Sequence, residues 1–91
     1  MHSVVVRVSI DDYEKGRQFL TEQVVPRVSQ APGFVAGYWT RSEDGGGGMS
    51  MMVFESEDAA RSVMQMMESQ AMDDQGVTLQ DVELREVVAS A

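Results

Sequence analysis

Cysteine and asparagine are absent from this 91-residue chain, histidine and tryptophan occur once each, proline twice, and lysine plus arginine number seven against fifteen aspartates and glutamates. Without cysteine there is no disulfide framework and no thiolate metal site, which suits a reducing compartment. The shortage of basic residues leaves a formal net charge of −8, which repels phosphate backbones and anionic headgroups at long range and argues against nucleic acid and membrane surfaces as partners. A long apolar run is missing too. The opening MHSVVVRVSIDDY has no basic leader region or cleavage site and is interrupted by Arg7 and Ser9, so neither a signal peptide nor a membrane span is expected, and the expected location is cytoplasmic. A single domain over residues 1–91 is expected. So short a chain hides only about 60–65% of its unfolded surface, a marginal core that oligomerisation would help.

What is present is strongly periodic. HSVVVRVSI, residues 2–10, places Val4, Val6, Val8 and Ile10 on one face and Ser3, Val5, Arg7 and Ser9 on the other, which predicts a strand. Asp11 is positioned to cap the next element, with Glu14 in capping-box spacing, and Tyr13, Phe19, Leu20, Val24 and Val28 mark an amphipathic helix. Pro26 withholds a backbone donor and disfavours helical geometry at Val25, so a kink or frayed last turn is expected before Pro32 and Gly33 end the segment. FVAGYWT (34–40) and MSMMVFE (49–55) read as an antiparallel hairpin joined by RSEDGGGG, whose four glycines predict a flexible connection. Ser56 caps a second helix in this reading. Glu57 and Asp58 lie at the positive end of its dipole, Ala60, Val63, Met64, Met67 and Ala71 form one apolar stripe, and Gly76 is the expected stop. VTLQDVELREVV (77–88) is the last strand, and its alternation slips at Gln80 and Asp81, where a bulge or a division into two strands restores register.

The order strand, helix, strand, strand, helix, strand is the split βαβ pattern (βαββαβ) of an α+β domain, with two helices on one face of a four-stranded antiparallel sheet. The other face is left bare. It should be polar in a monomer, yet VVVRV and MSMMVF carry apolar residues on both parities, and the adjacent Tyr38 and Trp39 must point to opposite faces. A second copy of the chain is the economical cover, which predicts a homodimer packed sheet on sheet.

FLTEQVVPRVSQAPGFVAGYWTRSEDG followed by MVFESEDAARSVMQMM resembles the antibiotic biosynthesis monooxygenase family, small ferredoxin-like chains that pair into dimeric α+β barrels. The resemblance runs from about Val4 to Val88. It implies a ligand cavity within each protomer, between sheet and helices, and a cofactor-independent monooxygenase-like activity on a small aromatic or polyketide-like molecule. The alternative is a non-catalytic dimeric module that binds a small apolar molecule or serves as an accessory. Haem degradation in that family relies on Asn, Trp and His, and quinone formation on Asn, Trp, Tyr and Arg. This chain has no Asn, and its only His is His2. No cofactor is expected.

Arg7, on a central strand, is a candidate anion or enolate clamp; paired with Glu83, Glu86 or the dimer partner, it is structural instead. Trp39 can stack on an aromatic ligand or simply pack, and Tyr13 or Tyr38 can donate to a substrate oxygen or to a structural partner. Seven of the eight methionines fall between Met49 and Met72, either an adaptable pocket or gap-filling core. The expected pocket residues are Trp39, Met52, Phe54, Met64 and Met67, with Arg7 and Tyr38 the weaker catalytic candidates. Thioethers without His or Cys support suit only Cu(I), so no metal is expected. Gly45 to Gly48 lead into a strand and carry no Lys, which excludes a phosphate cradle. ESED and MDD read as helix-end charges.

Overall fold

In the first strand, β1 (His2–Ile10), the alternation seen in the sequence becomes a division of labour: Val4 and Val6 point into the core, while Arg7 is exposed on the opposite side. The computed structural model describes residues 1–69 and 76–91. Ala71, Met72, Asp73 and Asp74, expected in the apolar stripe, the methionine group and the acidic helix end, lie outside the described residues.

Antiparallel pairing orders the sheet β2-β3-β1-β4, with β2 at Phe34–Arg41, β3 at Gly47–Phe54 and β4 at Val77–Glu86. β1 is central. The slip expected in the last strand is a bulge: Arg7 faces Asp81 and Val8 faces Leu79, so Gln80 is the extra residue within one continuous strand. A second irregularity, not foreseen, lies in β2, where Phe34 faces Phe54 but Ala36 faces Val53. Val35 is extra there. The insertion flips parity, so Phe34 and Trp39, five positions apart, both lie on the helix side, and Phe34 meets Phe54 edge to face at 5.9 Å.

Helix α1 (Tyr13–Phe19) is capped by Asp12, whose carboxylate accepts from the Lys15 amide. The expected cap, Asp11, instead accepts from the Thr78 hydroxyl and so ties the helix start to β4. Gly76 makes the same tie through its backbone: its carbonyl accepts from the Asp11 and Asp12 amides at 2.8 and 3.0 Å, and its φ of 80° is left-handed. A Cβ there would stand 2.5 Å from the Asp12 carbonyl oxygen, so glycine is required for this close approach. Beyond Phe19 the helix widens to a π turn over Leu20–Val24 before α2 (Val25–Ser29). The Val25 amide donates to the Leu20 carbonyl. The expected irregularity thus sits on the N-terminal side of Pro26, which has no amide to keep the regular ladder running.

Helix α3 (Glu57–Ser69) starts at Ser56, whose hydroxyl accepts from the Ala59 amide at 3.1 Å. Its buried stripe of Ala60, Val63 and Met67 meets Val4, Val6, Val28, Met52 and Phe54 in one core. Phe54, Met52, Val4 and Val28 have essentially no exposure, and burying side chains of this size contributes roughly 1.5–3 kcal/mol each.

The hairpin tip is shorter and more ordered than its four glycines suggest. Gly47 and Gly48 belong to β3, leaving Ser42 to Gly46 as the turn. Asp44 accepts from the Ser42 hydroxyl at 2.6 Å and the Gly46 amide at 2.9 Å, while the Ser42 hydroxyl accepts from Gly47. Those bonds to the carboxylate, the Ser42 hydroxyl foremost, hold the Asp44 carboxyl below its ordinary pKa.

Candidate functional site

On the helix side of the sheet, one end is filled and the other is hollow. Met52, Phe54 and Phe34 fill the end beneath α3, whereas the corresponding positions toward the hairpin tip are Gly37, Gly48 and Ser50. Small residues leave volume. α3 packs directly on β1, β3 and β4 and α2 on β2, while α1 and the π turn stand further off. The result is a cavity of about 500 Å³, inside the range of about 300–1,000 Å³ typical of small-molecule sites.

Its roof is apolar, built from Phe19, Leu20, Val24 and Val25. Leu20 and Val24 belong to the π turn, a distortion often found at functional sites. Trp39 forms a wall. An added Cβ at Gly37 would stand 2.8 Å from the indole Cη2, so the ring occupies the space this glycine leaves. The indole Nε1 is buried and has no hydrogen-bond partner among the described residues. Beside it in the register, Ser50 is 8% exposed and lines the same space.

Two cationic side chains enter the lining. Arg17 on α1 and Arg41 at the end of β2 both line the cavity, and the Arg41 guanidinium carbon stands 3.7 Å from the centroid of the Tyr13 ring. No Asp or Glu lines the cavity among the described residues. Those residues contain no group of three or more His, Cys, Asp or Glu able to hold a metal ion.

The structure brings together only part of the residue set proposed from sequence. Trp39 and Met67 line the cavity. Met52 and Phe54 are packed into the adjoining core with no exposure, and Met64 rests against that core. Tyr38 borders the cavity from β2 but is 72% exposed, on the face opposite Trp39 as the alternation requires. Arg7 lies on that open face, facing Asp81. It forms no ion pair within 4.0 Å among the described residues, and its charge assists Arg85, the principal cause, in holding the Glu83 carboxyl below its ordinary pKa. Arg17, Arg41, Ser50 and the glycines escaped sequence reasoning. One signal was available for Arg41, which sits two residues beyond Trp39 and so shares its face.

No protein-family model matches the chain, and no curated protein matches it by sequence. Solved structures do. A mutant of SnoaB, a cofactor-independent oxygenase from Streptomyces nogalater, is similar with a TM-score of 0.74 at 18% identity, over 98% of this chain and 94% of that one. ActVA-Orf6, a monooxygenase from Streptomyces coelicolor in complex with nanaomycin D, is similar with a TM-score of 0.63 at 16% identity, over 99% and 92%. A dimeric ferredoxin-like protein from an uncultured marine organism is similar with a TM-score of 0.61 at 10% identity, over 100% and 98%. The chain therefore has the ferredoxin-like α+β fold of antibiotic biosynthesis monooxygenase-like proteins. At these identities the likeness speaks for the fold, and the reaction has to be argued from the site.

Proposed function

We propose that this protein is a cofactor-independent monooxygenase-like enzyme acting on a small aromatic or polyketide-like molecule, working as a homodimer in the cytoplasm. The observation that carries the reading is the apolar cavity walled by Trp39 and roofed by the π turn, large enough for a fused-ring ligand. In cofactor-free oxygenation the substrate's own carbanion or enolate supplies electrons to O₂, and a dry pocket favours that by removing water from the electron-rich centre. Similarity in fold to a cofactor-independent oxygenase and to a second monooxygenase supports the assignment. The homodimer rests on the open sheet face, where Tyr38, Met49 and Met51 are exposed together, and on the dimeric ferredoxin-like neighbour.

A second reading has an observation of its own. Among the described lining residues there is no carboxylate, imidazole or amine to take a proton; Tyr13 supplies a phenol, while the Tyr38 phenol is turned to the open sheet face. That favours a dimeric module that binds an apolar molecule without turning it over. O₂ consumption with an anthrone-type substrate separates the two. The enzyme reading expects uptake well above buffer, reduced in Trp39→Phe and unaffected in Arg7→Ala if Arg7 serves only the open face. Uptake no faster than buffer, with saturable binding, favours the binding module.

A further inference from the structure

Of the residues that line the cavity from α1 and the π turn, Tyr13, Arg17 and Thr21 are also exposed. They lie four apart and so share one helix face. A side chain that both lines a cavity and meets water marks where the cavity opens. α1 and the π turn do not rest closely on the strands, so on this side only side chains can span the opening.

One pair does span it. The guanidinium carbon of Arg41, an exposed lining residue at the end of the edge strand β2, stands 3.7 Å from the centroid of the Tyr13 ring in the first turn of α1. Arg17, one turn further along the same face, carries the same charge as Arg41, and Thr21 has no ring. Tyr13 is therefore the residue of this edge that can hold the guanidinium. Arg41 forms no ion pair among the described residues. The hairpin tip sets its position: Gly45, with a φ of 79°, comes so near that an added Cβ would stand 2.7 Å from Nη2. Asp44 fixes that tip by accepting from the Ser42 hydroxyl and the Gly46 amide. Both members of the stack are exposed, Tyr13 at 37%, so the contact can break and re-form in solution.

We infer that Tyr13 and Arg41 form a side-chain gate across the opening of the cavity, closed when they stack and open when the guanidinium swings away, with the hydrogen-bonded hairpin tip holding the closed position. The inference rests on the foregoing reading only in taking the cavity as the place a ligand enters. Exposed side chains move far faster than a ligand arrives, so the gate acts through the fraction of time it stands open. A cation–π contact at an exposed site changes that fraction about two- to fivefold.

Stopped-flow binding of the neutral fluorophore 1-aminoanthracene to the intact protein tests it, since an uncharged probe gains nothing from the charge of the guanidinium. Tyr13→Ala and Arg41→Gln should each raise the association and dissociation rate constants together, by about two- to fivefold, and leave Kd within about twofold of the parent. The double variant should be no faster than either single, because either loss already opens the gate. Tyr13→Phe keeps the ring face and should keep the parent's rates. A wall residue without a gating role gives a different split, faster dissociation at unchanged association. That split, unchanged rates in Tyr13→Ala, or a double variant whose effect is the product of the two singles overturns the inference. Acrylamide quenching of Trp39, the chain's only tryptophan, needs no ligand. The quenching rate constant should rise in Tyr13→Ala and Arg41→Gln and stay at the parent's value in Tyr13→Phe; equal quenching in all four proteins overturns the gate. Failure of the parent to bind the fluorophore defeats the reading of the cavity as a ligand site alone, and the quenching series then decides the gate.

Discussion

Gly37→Ala is a small change with a calculable consequence. The added Cβ would meet the Trp39 indole at 2.8 and 3.0 Å, where ordinary contact begins at 3.4 Å, so the ring must retreat by more than half an ångström. The Phe34 ring lies within 3.5 Å of the same Cβ position, and the space open to the indole is the cavity. Forcing a group into a packed site costs about 1–3 kcal/mol, and the low end applies where a ring has empty volume beside it. Replacing glycine in a strand interior returns roughly 0.5–1 kcal/mol of backbone entropy. The net expectation is a small loss, up to about 0.5 kcal/mol, or up to roughly 2–4 °C in Tm at fixed protein concentration for a domain of this size. Because Trp39 is the only tryptophan, its emission reports the movement directly. Thermal melting and fluorescence of the variant should therefore both shift, and ligand affinity should fall as the indole enters the cavity. A variant as stable as the parent, with an unshifted emission maximum, refutes the proposed close approach and the account of how the cavity wall is formed.

Phe54→Ala removes a side chain with no exposure and leaves Phe34 without its edge-to-face partner; urea unfolding should show a loss of about 3–5 kcal/mol, and a loss under about 1.5 kcal/mol would contradict the packing described. Met51→Lys places a charge in the exposed apolar patch beside Tyr38, so light scattering should find the parent as a dimer and the variant as a monomer; a parent that is monomeric removes the sheet-on-sheet pairing. The Asp44 carboxyl titrates below its ordinary range because the Ser42 hydroxyl and Gly46 amide favour its charged form. Its contribution to the tip is therefore present above the unfolded-state value and lost as pH falls through the lower folded value. The Gly46 amide resonance should follow that titration, with a midpoint below that of an unperturbed aspartate, and Asp44→Asn should abolish it; a midpoint at or above the ordinary value contradicts the hydrogen bonding.

Local chemistry in the sequence settled the order of the elements and much of their detail. Alternation divided β1 into two faces and sent Tyr38 and Trp39 to opposite sides, the broken alternation at Gln80 marked a bulge, and Ser56 announced a helix start. Each of these signals spans only a few residues, so it can be read without knowing what lies across the sheet. The cavity could not be read that way. Its volume arises because Gly37, Gly48 and Ser50, from two strands, fall under a helix that the π turn has widened, and Arg17 and Arg41 reach its lining from separate elements. The bulge at Val35 sets Phe34 on the same face as Trp39, against Phe54, and no local pattern announced it. The glycine run looked mobile because flexibility is its local tendency; pairing of Gly47 and Gly48 with β1 and β2 and the Asp44 hydrogen bonds overrode it. Periodicity along the chain determines what each segment is, whereas empty space, meeting charges and strand partners belong to residues far apart in sequence, and only the folded chain decides them.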